Sequence, residues 1–292
     1  MREHFNTYLE KEIKKYNGIA FPVKSSVWER AFVTRVNCLD LHPNPDDEFT
    51  KPGVGPSYRI ISEYEQKIRT LSHDNGTNPL NDAIIVEKMH PEGYMIVNGH
   101  HRWAAFYRVG WKKVPVKVVN LTHEDDILKM LESASNNKRI TLDLDEVVFG
   151  STNEDEVEKR PTFSFGLVHK ERIKKGIPAL FNFFSLKGYD IWVYSSKFYS
   201  IEYIRSYMRK YHVNVTGIIT GTGRNAGFSD SAKSKIDKLM AGQYRYTLHI
   251  DNDSVVRTDS VTKEFEDYEI DTEKSNWSQA IMDIVGKIKD EE

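Results

Sequence analysis

Arg139-Ile140-Thr141-Leu142-Asp143-Leu144-Asp145-Glu146-Val147-Val148 opens the second half of this 292-residue chain. Ile140 and Leu142 alternate with residues of another character, the period of a strand, and two carboxylates follow at positions i and i+2. That spacing turns Asp143 and Asp145 toward the same side, so both can serve one site. Reading outward, three more apolar runs end in polar residues: Tyr189–Ser195, Val215–Thr220 and Arg245–Asp253. Helix-patterned stretches separate them. This alternation predicts an α/β domain with a doubly wound parallel sheet, whose ligands bind beyond the carboxyl ends of the strands.

The residues at those ends have a shared chemistry. One carboxylate of the Asp143/Asp145 pair can attack phosphorus, and the other can protonate a leaving oxygen and later deprotonate water. Ser195 closes the strand Ile191-Trp192-Val193-Tyr194 and offers a hydroxyl to a phosphate oxygen. Lys233 and Lys235 open a helix and can offset the charge on a phosphate and its nucleophile. Asp251 and Asp253 follow Tyr246–Ile250, and oxygen ligands of this kind suit Mg²⁺.

In this order the four features resemble the haloacid-dehalogenase-like (HAD) hydrolase superfamily, over about Arg139 to Val256. The resemblance implies Asp143 as nucleophile and magnesium ligand. It implies Asp145 as general acid/base, with its backbone carbonyl on the metal. Ser195 would hold the transferring phosphoryl group, Lys235 rather than Lys233 would be the motif lysine, and Asp251 would be the main metal carboxylate. Two positions depart from the pattern: Glu146 stands where many members have Gly, and Asn252 where many have a second acid, leaving Asp253 as its substitute. The spacing from Asp145 to Ser195 leaves room only for a helix and a modest insertion, Gly150 to Gly166, so a minimal cap is expected.

The first half has its own constellation. Residues 1–16 are patterned as a helix, and residues 17–80 read as irregular until the helix pattern of Ile61–Leu71. Strands are predicted over Asn81–Met89, Glu92–Gly99 and Val114–Leu121. Between the last two lies Asn98-Gly99-His100-His101-Arg102-Trp103-Ala104-Ala105, a glycine turn feeding a helix. Such a turn allows close backbone approach, the helix start offers N–H groups to an anion, and Arg102 can grip two phosphate oxygens. This segment resembles the ParB/sulfiredoxin superfamily, with Gly99, His100, His101 and Arg102 as the phosphate- or nucleotide-binding turn. The resemblance extends over about Val33 to Val119 and includes Pro79-Leu80-Asn81-Asp82-Ala83-Ile84-Ile85-Val86 and Trp111-Lys112-Lys113-Val114-Pro115-Val116. It implies a site for ATP, ADP or CTP. Sulfiredoxins place a cysteine where His100 stands, which disfavours thiol chemistry, and residues 122–137 are too short for a helix-turn-helix.

Two domains are therefore expected: residues 1–130, ParB/sulfiredoxin-like and α+β, and residues 131–292, a HAD-like Rossmannoid sheet. Residues 1–130 carry 18 Lys and Arg against 17 Asp and Glu, and the remainder carries 23 against 26. Neither half has the basic excess of a general nucleic-acid binder, so nucleic acid is not favoured as a partner. The single cysteine, Cys38, excludes an internal disulfide and fits a reducing cytosol. No apolar run is long enough to span a bilayer, and the charged first helix is unlike a secretory signal. The expected function is a cytoplasmic, Mg²⁺-dependent phosphomonoester hydrolase fused to a nucleotide-binding domain that acts as kinase or regulator. Its substrate would be a phosphorylated small molecule or polymer end. The alternatives are a nucleic-acid end-processing phosphatase of ParB-like association with DNA, and a non-catalytic nucleotide sensor.

Overall fold

The computed structural model describes residues 4–75, 82–150, 153, 156–162, 169–222, 230–272 and 276–288. Of residues 71–75 and 230–233 only the helical backbone is described. The chain divides into two units, the first ending at Asn120 and the second beginning at Leu121.

The first unit is built on a six-stranded mixed sheet. Its elements are α1 (Phe5–Tyr16), β1 (Phe21–Pro22), α2 (Val27–Ala31), β2 (Thr34–Asn37), β3 (Leu41–His42), α3 (Tyr58–Asn75), β4 (Ile84–His90), β5 (Tyr94–Asn98), α4 (His100–Val109) and β6 (Lys113–Val118). The sheet runs β2-β6-β4-β5-β3, with β1 paired to β4. β4 lies parallel to β6 and antiparallel to β5. The expectation of an irregular stretch from 17 to 57 needs correction, since β1, α2, β2 and β3 all fall there. These elements are two to five residues long, too short to show a periodic pattern, and tertiary pairing alone defines them. Trp103, Phe106, Ile61, Ile84, Val86, Ile96, Val114 and Val116 form the core, sealed by Phe5 and Leu9 of α1. Pro79, Leu80 and Asn81, part of the expected partner-strand segment, lie outside the described residues.

The second unit begins with α5 (Glu124–Glu132), followed by β7 (Lys138–Asp143), α6 (Ile177–Leu186), β8 (Asp190–Ser195), α7 (Ile201–Lys210), β9 (Gly217–Thr220), α8 (Asp230–Gln243), β10 (Tyr246–Ile250), β11 (Ser254–Asp259), β12 (Phe265–Glu269) and α9 (Trp277–Lys287). Its sheet runs β12-β11-β10-β7-β8-β9. β10, β7, β8 and β9 are parallel, as the sequence pattern predicts. β11 and β12 extend the sheet antiparallel, so it is mixed rather than wholly parallel. β12 is largely exposed, and β11 buries only Val255, so neither has the apolar run that marks a strand buried on both faces.

The core packs Ile140, Leu142, Ile191, Val193, Ile218 and Leu248 against Phe181, Phe184, Ile204 and Ile281. On the other side of the sheet, Ile127 and Met130 of α5 pack with Trp192, Ile219, Ile236, Met240 and Tyr244. Much of the insertion from Gly150 to Gly166 lies outside the described residues. Where it is described, Phe149 and Val157 bridge to Ile173 and Lys174. Among the described residues no helix is long and apolar enough to cross a membrane.

Candidate functional site

β7 is the point where the chain winds outward in both directions, toward β8 on one side and β10 on the other. A crevice at the carboxyl ends of β7 and β10 is the expected ligand position in such a sheet. A cleft of about 300 Å³ opens there, lined by Thr141, Asp143, Tyr194, His249 and Asp251 among others. Ladder register brings these ends together: Leu142 pairs with Ile250, and Asp143 with Tyr194.

Asp143 ends β7, and a single π turn, Leu144–Val148, follows it. Its Oδ1 accepts the backbone N–H groups of Asp145 at 2.6 Å and Glu146 at 2.9 Å. That arrangement fixes the carboxylate and leaves Oδ2 for other work. The Asp145 carboxylate turns toward β8. Its Oδ2 accepts from Ser195 Oγ at 2.9 Å, from Ser196 N at 3.0 Å and from Ser196 Oγ at 3.0 Å. Its Oδ1 is buried without a hydrogen-bond donor, and Lys197 Nζ stands 3.5 Å away.

Ser195 is fully buried, donates to Asp145 and accepts the Lys197 N–H at 3.0 Å. Its hydroxyl therefore orients Asp145, where the sequence reading gave it a phosphate. Ser196 and Lys197, which sequence reasoning passed over, complete this corner. Their place directly after the Ser195 strand end was the available signal.

The four residues expected at the metal divide. Asp143 and Asp251 line the same cleft. Asp145 presents its carboxylate to the β8 serines, and Asp253 lies exposed in the β10–β11 turn, its carbonyl accepting the Ile270 N–H at 2.8 Å. Among the described residues no group of three or more His, Cys, Asp or Glu side chains is gathered for a metal. Mg²⁺ is commonly held by one or two carboxylates with water filling the rest, and Asp143 with Asp251 fits that habit.

The lysines are the main surprise. Lys235 pairs with Glu124 of α5. The side chain of Lys233 lies outside the described residues. Lys174 reaches the turns after β7 and β10, its Nζ donating to Glu146 O at 2.8 Å and to Asn252 Oδ1 at 3.0 Å. Burial pushes its pKa below the ordinary lysine value, opposed by the negative charges of Asp251 and Glu156. On the cleft floor, His249 Nδ1 and Thr141 Oγ1 are 2.8 Å apart. Burial, and then the nearby Arg139, lower the His249 pKa.

The first unit holds the glycine turn. Gly99 has φ 105°, a left-handed conformation that side chains resist, and a Cβ there would come within 3.0 Å of Arg102 Nη2. The first intrahelical bond of α4 runs from Trp103 N to Gly99 O, so the preceding N–H groups of the turn lie ahead of the helical ladder. The side chains, however, reach into the protein. Arg102 is buried, with Nη1 2.8 Å from Asp82 Oδ2 and donating to the carbonyls of Asp82 at 3.0 Å and Ala83 at 3.3 Å. His100 Nε2 accepts the Asn44 N–H at 3.2 Å, and His101 Nε2 accepts the Ser57 N–H at 3.1 Å. Both histidines thus hold the loop between β3 and α3, and Phe49 stacks on His100. Asp82, the acid paired with Arg102, is itself highly exposed.

Comparison with known proteins bears on the first unit. No curated protein matches the chain. Three solved structures align weakly. One is the C-terminally truncated chromosome-partitioning protein ParB from Caulobacter crescentus, complexed with CTP-gamma-S, at 24% identity and TM-score 0.25. The alignment covers 36% of this chain and 56% of that one, so the chain spans little more than half of that relative. A conserved hypothetical protein from Pyrococcus furiosus is 11% identical, covering 91% and 88% of the two chains with TM-score 0.23. A free serine kinase mutant in complex with AMP is likewise 11% identical, covering 94% and 86% with TM-score 0.23. Superpositions this loose carry no argument. The family comparison is firmer: residues 55–134, which include the Gly99–Arg102 turn, match the ParB N-terminal domain, and the chain therefore contains a ParB-like domain.

Proposed function

We propose that the second unit is a phosphomonoester hydrolase of the HAD-like type, working through an aspartyl-phosphate, and that the ParB-like domain binds a nucleotide. The observation that carries the first part is the pairing of Asp143 and Asp145 at the end of β7. One carboxylate is pinned by backbone N–H groups with an oxygen to spare, and the other is oriented by Ser195 and Ser196 with an oxygen lacking a donor.

Asp143 Oδ2 attacks phosphorus, forming an acyl phosphate as the ester P–O bond breaks. Asp145, protonated at the start of the cycle, gives its proton to the departing oxygen. Asp145 then takes a proton from a water that attacks the same phosphorus, releasing phosphate and restoring Asp143. Lys197 beside Asp145, and Lys174 at the turns after β7 and β10, lessen the repulsion between a phosphate dianion and these carboxylates. Mg²⁺, held by Asp143 and Asp251, would add charge neutralisation at the transferring phosphoryl group.

The test is release of phosphate from p-nitrophenyl phosphate by the purified protein, with MgCl₂ and with chelator. Turnover that needs the metal and disappears in Asp143→Asn is expected. Metal-independent turnover, or turnover that survives Asp143→Asn, would overturn the reading. For the ParB-like domain, the helix N-terminus that follows Gly99 and the guanidinium of Arg102 suit a di- or triphosphate. Calorimetric titration with CTP, ATP and ADP tests it, and no heat from any of the three removes that half.

A further inference from the structure

Lys174 is held far more firmly than a surface lysine needs to be. Its backbone N–H donates to Val148 O at 2.9 Å, and Ile173 O beside it accepts the Glu158 N–H at 2.9 Å. Gly150 N donates to Arg172 O at 2.7 Å, closing the same small bridge. The side-chain stem is packed as well: a Cβ on Gly150 would meet Lys174 Cγ at 3.1 Å and Val157 Cγ1 at 2.7 Å, so only glycine leaves room. From this base the ammonium reaches the two loops that follow the paired strands β7 and β10. One is the turn after β7, through Glu146 O, and the other is the turn after β10, through Asn252 Oδ1. Asn252 is gripped from a second side, since Trp277 Nε1 donates to its carbonyl at 2.8 Å, and the Trp277 ring lies 6.0 Å from Lys174 Nζ.

We propose that Lys174 is a positioning residue of the phosphoryl-transfer site, fastening the loop of Asp143 and Asp145 to the loop of Asp251 and setting a fixed positive charge beside them. The proposal rests on the phosphatase reading of the second unit. It also gives Asn252 a reason. A neutral amide oxygen accepts from the lysine without neutralising it, whereas a second carboxylate there would cancel the charge that an incoming phosphate meets. Lys174 lies between β7 and α6, apart from the helix of Lys233 and Lys235.

The experiment compares wild type, Lys174→Met and Lys174→Arg in two measurements. One is the kinetics of p-nitrophenyl phosphate hydrolysis; the other is calorimetric binding of Mg²⁺ alone. Loss of a fixed charge at the reacting group should lower kcat about a hundredfold and raise KM in Lys174→Met. Mg²⁺ should bind that variant no more weakly than wild type, because removing a cation makes the cleft more negative. Lys174→Arg should recover part of the rate. A lysine that only braces the loops would show weaker Mg²⁺ binding in both variants and no recovery with arginine, and that pattern overturns the proposal. So does a Lys174→Met enzyme with wild-type kinetics. If Lys174→Met melts below the assay temperature, Asn252→Ala replaces it: a lowered kcat supports the clasp, and unchanged kinetics sinks it. A wild type without Mg²⁺-dependent turnover removes the phosphatase reading and this role with it. An active wild type whose Lys174→Met variant keeps wild-type kinetics removes the lysine alone.

Discussion

Asp143 and Asp145 sit two residues apart yet face different tasks, and the hydrogen bonds separate them. Asp143→Asn keeps an oxygen for the Asp145 and Glu146 N–H groups, so the fold should survive, but an amide cannot form an acyl phosphate and turnover should vanish. Asp145→Asn should cost about a hundred- to ten-thousand-fold in kcat, the usual worth of general acid/base catalysis. Steady-state kinetics on both variants decides it, and equal, small losses would contradict the division of roles. At the glycine turn, Asp82 occupies the Arg102 guanidinium that the proposed nucleotide site would use. Asp82→Asn should therefore tighten nucleotide binding, while Arg102→Ala should abolish it; calorimetry that finds Asp82→Asn weaker than wild type would show that Asp82 helps to hold the ligand. Asp143, Ser195 and Asp251 were legible in the sequence because each closes an apolar strand, and a strand end fixes a residue's place in the sheet. Lys174 was not, because what brings it to Asn252, 78 residues away, is a tertiary bridge with no local pattern.

Elements were legible to the extent that they were periodic. β4, β7, β8 and β10 announce themselves, whereas β2 and β3 are short and β11 and β12 are polar. Two elements offer sharp tests. β9 begins at Gly217, where a Cβ would come within 2.0 Å of the buried Trp192 ring on β8. Gly217→Ala must push either the indole or the strand, and overpacking of this kind costs about 1–3 kcal/mol. Chemical denaturation should find that loss, and an unchanged midpoint would mean that Trp192 has room to move. α2 is short and depends on its first turn: Ser26 Oγ accepts the Glu29 N–H, and Glu29 accepts the Ser26 N–H at 2.7 Å. Lys88 adds a contact at 2.8 Å and, with the Ser26 bonds, holds the Glu29 pKa down at about 2. A carboxylate depressed in the folded state stabilises it above the ordinary value of 4.5, and that contribution fades as pH falls toward 2. The pair is partly exposed, so the effect should be modest and reduced by salt. Lys88→Met should lower the melting temperature most near neutrality, and the difference from wild type should shrink as pH falls from 4.5 toward 2.

For the whole molecule, the decisive question is where the second unit starts. Sequence pattern places the division near residue 130, because α5 reads as a polar-ended connector. The structure gives α5 to the second unit, through contacts that no local pattern reveals. Ile127 and Met130 are buried among Trp192, Ile219, Ile236 and Met240. Ahead of the helix, Thr122 Oγ1 donates to Ile218 O at 2.9 Å and accepts the Thr220 N–H at 3.1 Å, satisfying both backbone groups along β9. The Ile218 N–H points at Met130 Sδ, 3.2 Å away. A protein of residues 121–292 should accordingly fold cooperatively and hydrolyse p-nitrophenyl phosphate, whereas residues 131–292 should be much less stable. The loss includes the burial of Ile127 and Met130, roughly 1.5–3 kcal/mol each, together with the Thr122 bonds and the exposure of Trp192. Urea melts of the two fragments, followed by Trp fluorescence, measure the difference directly. Equal midpoints would mean that α5 is a connector after all. An active 121–292 fragment would further show that Asp143 needs nothing from the first unit, whose buried cluster is drawn from Phe5 to Val118.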